Sequence, residues 1–385
     1  MVAVPYDWFD RFDWGEAFTK LICFVVLAVA AIVTRGALTS QSDEGRSERP
    51  ALAGFMDMFL GIAMLVTVAI RYDIPADFLV TDSRYSDMGA VTYDAARRLF
   101  VEGENPYVGQ RIDPFQPGYG YSYGPVTILG HFPAIISAEY GMKVANLILL
   151  GVCGILVATL AYRFSRGVRL ERLGAALFAL GLMAVPYRLW FELFIRCSSD
   201  LLEPVLFFLA LLFVGSKRWF VTGLCVGLAL ASKMVFGVVA GATLVRRVTP
   251  WTFFFGVVVG LTPLALMYAA DPTSFCDHYL FFQLVKDFDN TSLYSLTPPE
   301  LHWLFPLARA CALVACFFAL VGKEVSVPRI ALAGYLVLLV LCATHVEVHG
   351  NHLVWVMPMT ALVMSWQRDG IMALLVGLTR LRPGS

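Results

Sequence analysis

The chain has 385 residues, of which 58% are hydrophobic and 15% charged, against about 25% charged in a soluble domain. Its formal net charge of zero removes bulk attraction to nucleic acid as a motive for binding. The apolar residues come in long blocks rather than in helical stripes, which excludes an ordinary water-soluble fold built around one buried core. The composition points to an all-α, polytopic transmembrane bundle.

In chain order, an acidic start carrying Asp7, Asp10, Asp13 and Glu16 lacks the positive charge with which a cleaved signal peptide begins. The apolar run at 17–34 therefore reads as a retained anchor. Further runs lie at 52–70, 122–138, 143–162, 173–186, 201–215, 219–232, 234–247, 251–270, 303–321, 330–344 and 353–366. Together they predict roughly ten to twelve spans. Basic residues accumulate at Arg163–Arg172, Lys217–Arg218, Arg246–Arg247, Lys323–Arg329 and Arg368–Arg382, and they place those connections on the cytoplasmic side. Alternation then sends 71–121, 187–200, 271–301 and 345–352 to the outer face. Parity requires one run to cross incompletely, and 122–138, interrupted by Pro125 and Pro133, is the expected one. The whole of 1–385 reads as one integral membrane domain. Segment 1–50 supplies an extra N-terminal span and a cytoplasmic loop, 71–121 a large outer loop, and 122–385 the remaining helices.

The polar chemistry collects in the outer loops. Within 71–121, Met88, Val91, Ala95 and Leu99 recur at helical spacing, with Asp94, Arg97, Arg98 and Glu102 on other faces. That pattern predicts an amphipathic helix of about 15 residues lying on the membrane surface. Gly103 ends it, and Asn105-Pro106-Tyr107 turns the chain. Asp82 and Asp87 stand just before it, where a helix dipole favours carboxylates. Either is a candidate base toward a hydroxyl, and Asp87 could equally serve as a cap.

Arg196 and Asp200 stand four apart, the spacing of a local ion pair, with Arg188 just upstream. Lys233 interrupts an apolar stretch, where a charge must pair, snorkel or face a cavity. The loop 271–301 offers Lys286, Asn290 and Ser292. The segment 345–352 holds three of the six histidines; His345, Glu347 and His349 alternate there as ligands of a divalent cation would, while His349 and His352 are candidate anion contacts. No other cofactor is indicated.

One ordered set of motifs resembles a known family. Asp87, then Tyr93-Asp94-Ala95-Ala96, then Gly103-Glu104-Asn105-Pro106-Tyr107, then Tyr121-Ser122-Tyr123-Gly124-Pro125 is similar to the polyprenyl-phosphate-sugar-dependent glycosyltransferases of GT-C architecture. The closest branch in appearance is the GT87 group, which includes mannosyltransferases acting on phosphatidylinositol mannosides. Tyr123-Gly124-Pro125 departs from that family's Tyr-Pro-Pro. Asp289-Asn290-Thr291-Ser292, Gly223 through Lys233, and Asn351-His352 through Trp355 and Pro358 resemble its later motifs.

The resemblance implies an inverting transfer of a monosaccharide, such as mannose, from a polyprenyl-phosphate donor to a lipid or glycan acceptor on the outer face of the plasma membrane. It implies Asp87 or Asp82 as base. Arg188, Arg196, Asp200, Lys233, Lys286, Asn290, Ser292, His349, His352, Tyr107 and Tyr123 would then contact substrate. The alternatives are a transporter or flippase, which calls for internal repeats with paired broken helices, and a non-catalytic protein of the same architecture.

Overall fold

The computed structural model describes residues 49–72, 85–109, 120–137, 140–245, 250–281, 297–321, 326–344, 352 and 354–366. The expected first span at 17–34 lies outside them. Among the described residues there is helix and no strand.

The apolar runs become α1 (Arg49–Tyr72), α4 (Gly141–Phe164), α5 (Arg169–Ala184), α7 (Leu202–Gly215), α8 (Trp219–Leu230), α9 (Met234–Leu244), α10 (Trp251–Ala270), α12 (Leu304–Val321), α13 (Val327–Ala343) and α14 (Val354–Trp366). Between them stand the short helices α2 (Asp87–Arg97), α3 (Pro125–Gly130), α6 (Tyr187–Trp190) and α11 (Pro272–Phe275). Among the described residues, three helical stretches are long and apolar enough to cross a bilayer outright: α4, α10, and Pro299–Val321, which contains α12. A fourth span is broken, with α5 and Tyr187–Ile195 meeting at 66°. The protein is an integral membrane protein.

The stretch 122–138 is not one helix. It forms the six-residue α3 and then a 3-10 turn, Phe132–Ile136. Six residues rise only about 9 Å, too little to cross. Pro125 starts α3 at the first helical position, and His131 at φ −103° ends it.

Glycines set the closest helix approaches. On α8 and α10, a Cβ at Gly227 would meet the Val257 carbonyl and one at Gly260 the Leu224 carbonyl. Gly54 and Gly61 of α1 likewise face the backbone of α5 at Leu170–Glu171 and Leu177. With lipid as solvent there is little hydrophobic drive between helices, so backbone contact of this kind supplies the packing energy. Gly227→Leu should part α8 from α10 and cost about 1–3 kcal/mol, the usual scale for forcing volume into a packed interface. Thermal unfolding of the detergent-solubilised protein checks this, and an unchanged midpoint would contradict the packing. The main buried cluster draws on α4, α7, α8 and α9, including Leu160, Phe207, Phe208, Val226 and Phe236. α10 and α12 are largely left facing outward.

Three π turns occur among the described residues, at Arg98–Glu102, Phe191–Ile195 and Cys276–Phe281. Each lies in or beside a segment assigned to the outer face from the charge pattern.

Candidate functional site

The amphipathic helix forms as α2 and buries Met88, Val91 and Ala95, three of the four residues of the predicted stripe; Leu99 is half-buried. Ser86, not Asp87, is its cap: the Ser86 hydroxyl accepts from the Gly89 N–H at 3.0 Å. That leaves Asp87 exposed in the first turn, with Oδ1 accepting the N–H of its neighbour Met88 at 2.8 Å. The helix is docked tightly. The Ser86 N–H donates to the Arg196 carbonyl at 2.7 Å, a Cβ at Gly89 would lie 2.6 Å from the Cys197 carbonyl, and Thr92 Oγ1 is 3.1 Å from Ser199 Oγ.

Arg98 corrects the sequence reading. It does not stand on a separate polar face: seven residues after Val91, it lies within about 20° of it around a regular helix, and it is buried. Its guanidinium donates to the carbonyls of Asn105 at 2.9 Å and Val108 at 2.6 Å and pairs with Glu104 at 3.3 Å. Gly103, at φ +69°, makes the left-handed reversal that few other residues tolerate. The Asn105 side chain accepts the Tyr107 N–H at 3.0 Å. Tyr107 itself is buried against Phe275, ring centroids 4.9 Å apart, and donates its hydroxyl to the Tyr123 carbonyl at 2.8 Å. Burial, with Tyr121 alongside, raises the Tyr107 phenol well above the ordinary tyrosine range. It is a hydrogen-bond donor and aromatic strut, not a base.

Behind α2 lies a buried charged centre. Lys233 occupies the break between α8 and α9, extended at φ −135°, ψ 114°. It neither snorkels nor stands alone. Nζ is ion-paired with Asp200, lies 4.9 Å from the Tyr123 ring centroid and 5.0 Å from that of Trp355, and is 3.3 Å from Met88 Sδ. Asp200 Oδ2 accepts from the Ser198 hydroxyl at 2.6 Å. The His352 ring meets Trp355 edge-on at 4.9 Å. A buried ammonium is tolerable only with such partners, and those of Lys233 come from four separate segments.

The expected Arg196–Asp200 pair does not form. Cys197 adopts φ +52°, which reverses the chain and turns Asp200 inward to Lys233. Arg196 instead approaches buried Glu192 at 3.8 Å, and Arg188 contacts the same carboxylate at 2.6 Å. One carboxylate thus serves two half-exposed guanidiniums. The loop is fixed from below by Asn146 of α4, whose Nδ2 donates to the carbonyls of Leu193 at 2.7 Å and Ser198 at 3.0 Å.

Of the residues singled out from sequence, Asp87 (through its neighbour Met88), Asp200, Lys233, Tyr123 and His352 come together, with Tyr107 bracing Tyr123. Arg188 and Arg196 flank them around Glu192, joined to α2 by the Arg196 carbonyl. Asp82, Lys286, Asn290, Ser292 and His349 lie outside the described residues, as do His345 and Glu347. Among the described residues no three His, Cys, Asp or Glu side chains gather as metal ligands do.

Sequence reasoning passed over Glu192, Asn146 and Glu203. Glu203 carried a usable signal, an acid followed by proline at the head of an otherwise apolar fourteen-residue helix, since ionisable groups in such runs mark function or pairing.

No family profile and no curated protein matches the sequence. Among solved structures, the fold is similar to the crystal structure of ArnT from Cupriavidus metallidurans bound to undecaprenyl phosphate, with a TM-score of 0.51 and 13% identity. The match covers 83% of this chain and 62% of that one, so the chain spans under two thirds of that protein's length. At this identity the likeness is one of fold: an arrangement of membrane helices.

Proposed function

We propose that the protein is a membrane glycosyltransferase that moves a monosaccharide from a polyprenyl-phosphate carrier to a lipid or glycan acceptor at the outer face of the plasma membrane. The observation that carries this reading is the exposed carboxylate of Asp87. It stands at the head of a helix that rests, through Met88, on the Lys233–Asp200 pair. The fold likeness to a protein bound to undecaprenyl phosphate supports a lipid-phosphate donor.

In the proposed reaction the acceptor hydroxyl attacks the anomeric carbon while Asp87 takes its proton. The bond from that carbon to the phosphate oxygen breaks, the configuration inverts, and the phosphate leaves on its lipid. Developing phosphate charge is best met by fixed cations. Arg188 and Arg196 suit this because together they carry one positive charge more than Glu192 neutralises. Lys233, already matched by Asp200, holds Tyr123 and Trp355 in place instead. A mannose donor and a GT87-like acceptor are the finer form of the proposal. They rest on the motif order from Asp87 to Pro125.

The test is an assay of membranes carrying the chain, supplied with labelled polyprenyl-phosphate hexoses and pentoses. Label should pass to a lipid or glycan product. The bent span at 66° is also a feature of transporters, so solute uptake into proteoliposomes without any sugar transfer would favour that reading instead. Replacing both Arg188 and Arg196 by Gln should raise the KM for the lipid donor by about tenfold or more, the scale of losing charge-assisted hydrogen bonds. An unchanged KM would remove them from the phosphate site.

A further inference from the structure

Glu203 is fully buried in the first turn of α7 and has no part in the sugar-transfer scheme. Its Oε1 accepts from the Ser232 hydroxyl at 2.6 Å. Ser232 Oγ is in turn 2.8 Å from Thr127 Oγ1 on α3. Around this three-membered chain the backbones also join. The Gly124 N–H donates to the Ser232 carbonyl at 2.8 Å and the Val126 N–H to the Ala231 carbonyl at 3.2 Å. No Cβ fits at Gly124, because the Ala231 carbonyl occupies its place. Three segments far apart in sequence therefore meet at one carboxylate: the start of α7, the break at 231–233 and the start of α3.

The two segments clamped together are those that carry the centre of the site. The residue after Ser232 is Lys233, which meets Met88, and the residue before Gly124 is Tyr123, whose ring lies under the Lys233 ammonium. Oε2 of Glu203 makes no hydrogen bond among the described residues. Among the described residues the carboxylate is thus anchored through one oxygen, and the Ser232 contact is what ties α7 to the junction. A buried acid held by a single hydroxyl is an expensive way to fill space, since desolvating it costs several kcal/mol unless it is well partnered. A leucine would pack α7 more cheaply.

We infer that Glu203 is a positioning residue: by accepting from Ser232 it locks the 231–233 break onto the Tyr121–Pro125 segment and so sets Lys233 and Tyr123 beneath the helix that presents Asp87. This rests on the glycosyltransferase reading. Glu203 acts through Ser232 and touches no reacting atom. Because the contact needs an acceptor oxygen and not a charge, glutamine replaces glutamate at this position, whereas alanine does not.

Two readouts test it on the full-length chain. The first needs no ligand. Val126→Cys with Ala231→Cys places a cysteine pair across the 3.2 Å backbone contact, and oxidation of that pair is followed by mass spectrometry of the linked peptides. The cross-link should form at the same rate with Glu203 or Glu203→Gln and about fivefold or more slowly with Glu203→Ala, as expected when one buried hydrogen bond holding a junction is lost. The second is sugar transfer in membranes. Here Glu203→Ala and the smaller Ser232→Ala should lower kcat by about tenfold, with a lesser change in donor KM, while Glu203→Gln stays within about threefold of wild type. Equal cross-linking rates in all backgrounds, or Glu203→Gln failing as badly as Glu203→Ala, overturn the inference. A wild-type chain that transfers no sugar while its cross-link still depends on Glu203 overturns the enzymatic reading and strips the clamp of its catalytic meaning. Ser232→Ala removes one oxygen, so it keeps the test sound if Glu203→Ala does not fold.

Discussion

Asp87→Asn should lower sugar transfer by about 10²–10⁴-fold, the range that a positioned general base contributes, while the protein accumulates and unfolds like the wild type. The separation of the two effects follows from the local geometry. Asp87 is exposed and, among the described residues, makes no contact that holds α2 in place, because the cap is Ser86. Asparagine keeps the bond to the Met88 N–H and removes only the basicity. Ser86→Ala should behave in the opposite way. It deletes the cap at a cost of about 1 kcal/mol and loosens the docking on the 196–199 loop, while leaving the carboxylate intact. Initial rates in membranes, normalised to protein, with melting of the purified chain alongside, separate the two. Asp87→Asn at wild-type rate would remove Asp87 as base and leave Asp82 as the candidate.

The second large effect is on stability. Lys233→Met or Asp200→Asn should each destabilise the chain by about 3–5 kcal/mol, because removing one partner of a buried ion pair strands the other without solvent. In Lys233→Met, Asp200 keeps the Ser198 hydroxyl; in Asp200→Asn, the Lys233 ammonium keeps, among the described residues, an uncharged amide oxygen, two ring faces and a thioether but no counter-charge. Lys233→Met should therefore be the milder change. The double replacement Asp200→Leu with Lys233→Met should recover most of the lost stability, since an apolar pair of similar volume avoids the desolvation cost altogether. It should not recover sugar transfer, because Tyr123 and Trp355 would no longer be held by the ammonium between them. Thermal unfolding of the three variants in detergent measures this. A double variant no more stable than the single ones would mean that the pair is not what joins these segments.

Much of this architecture could be read along the chain. Membrane helices are written as unbroken apolar runs, so the expected spans at 143–162, 219–232 and 251–270 correspond to α4, α8 and α10 with ends shifted by a few residues. The stripe Met88, Val91, Ala95 was visible because it repeats at helical spacing. What stayed hidden depended on contacts between distant residues or on backbone reversals. Asp200 and Lys233 are 33 positions apart, and nothing in either neighbourhood names the other.

The nearer partner, Arg196, had the right spacing, but Cys197 takes a positive φ that its residue type does not announce, and Arg196 approaches Glu192 while Asp200 pairs with Lys233. Arg98 was misplaced for a different reason: its charge argued for water, although it lies within about 20° of Val91 around a regular helix, and its guanidinium is met by the Asn105 and Val108 carbonyls. Glu203 lay within an expected span and went unremarked, although an acid in an apolar run is itself a signal.

The central claim is that the Asp87 helix and the segment bearing His352 and Trp355 enclose the place where a lipid-linked phosphate sits. The most direct measurement is an experimental structure of the full chain in nanodiscs loaded with undecaprenyl phosphate. The account predicts density for the phosphate within hydrogen-bonding reach of Arg188 or Arg196, on the side of α2 that presents Asp87. A phosphate seated away from these residues, or lipid density that never approaches α2, would contradict it.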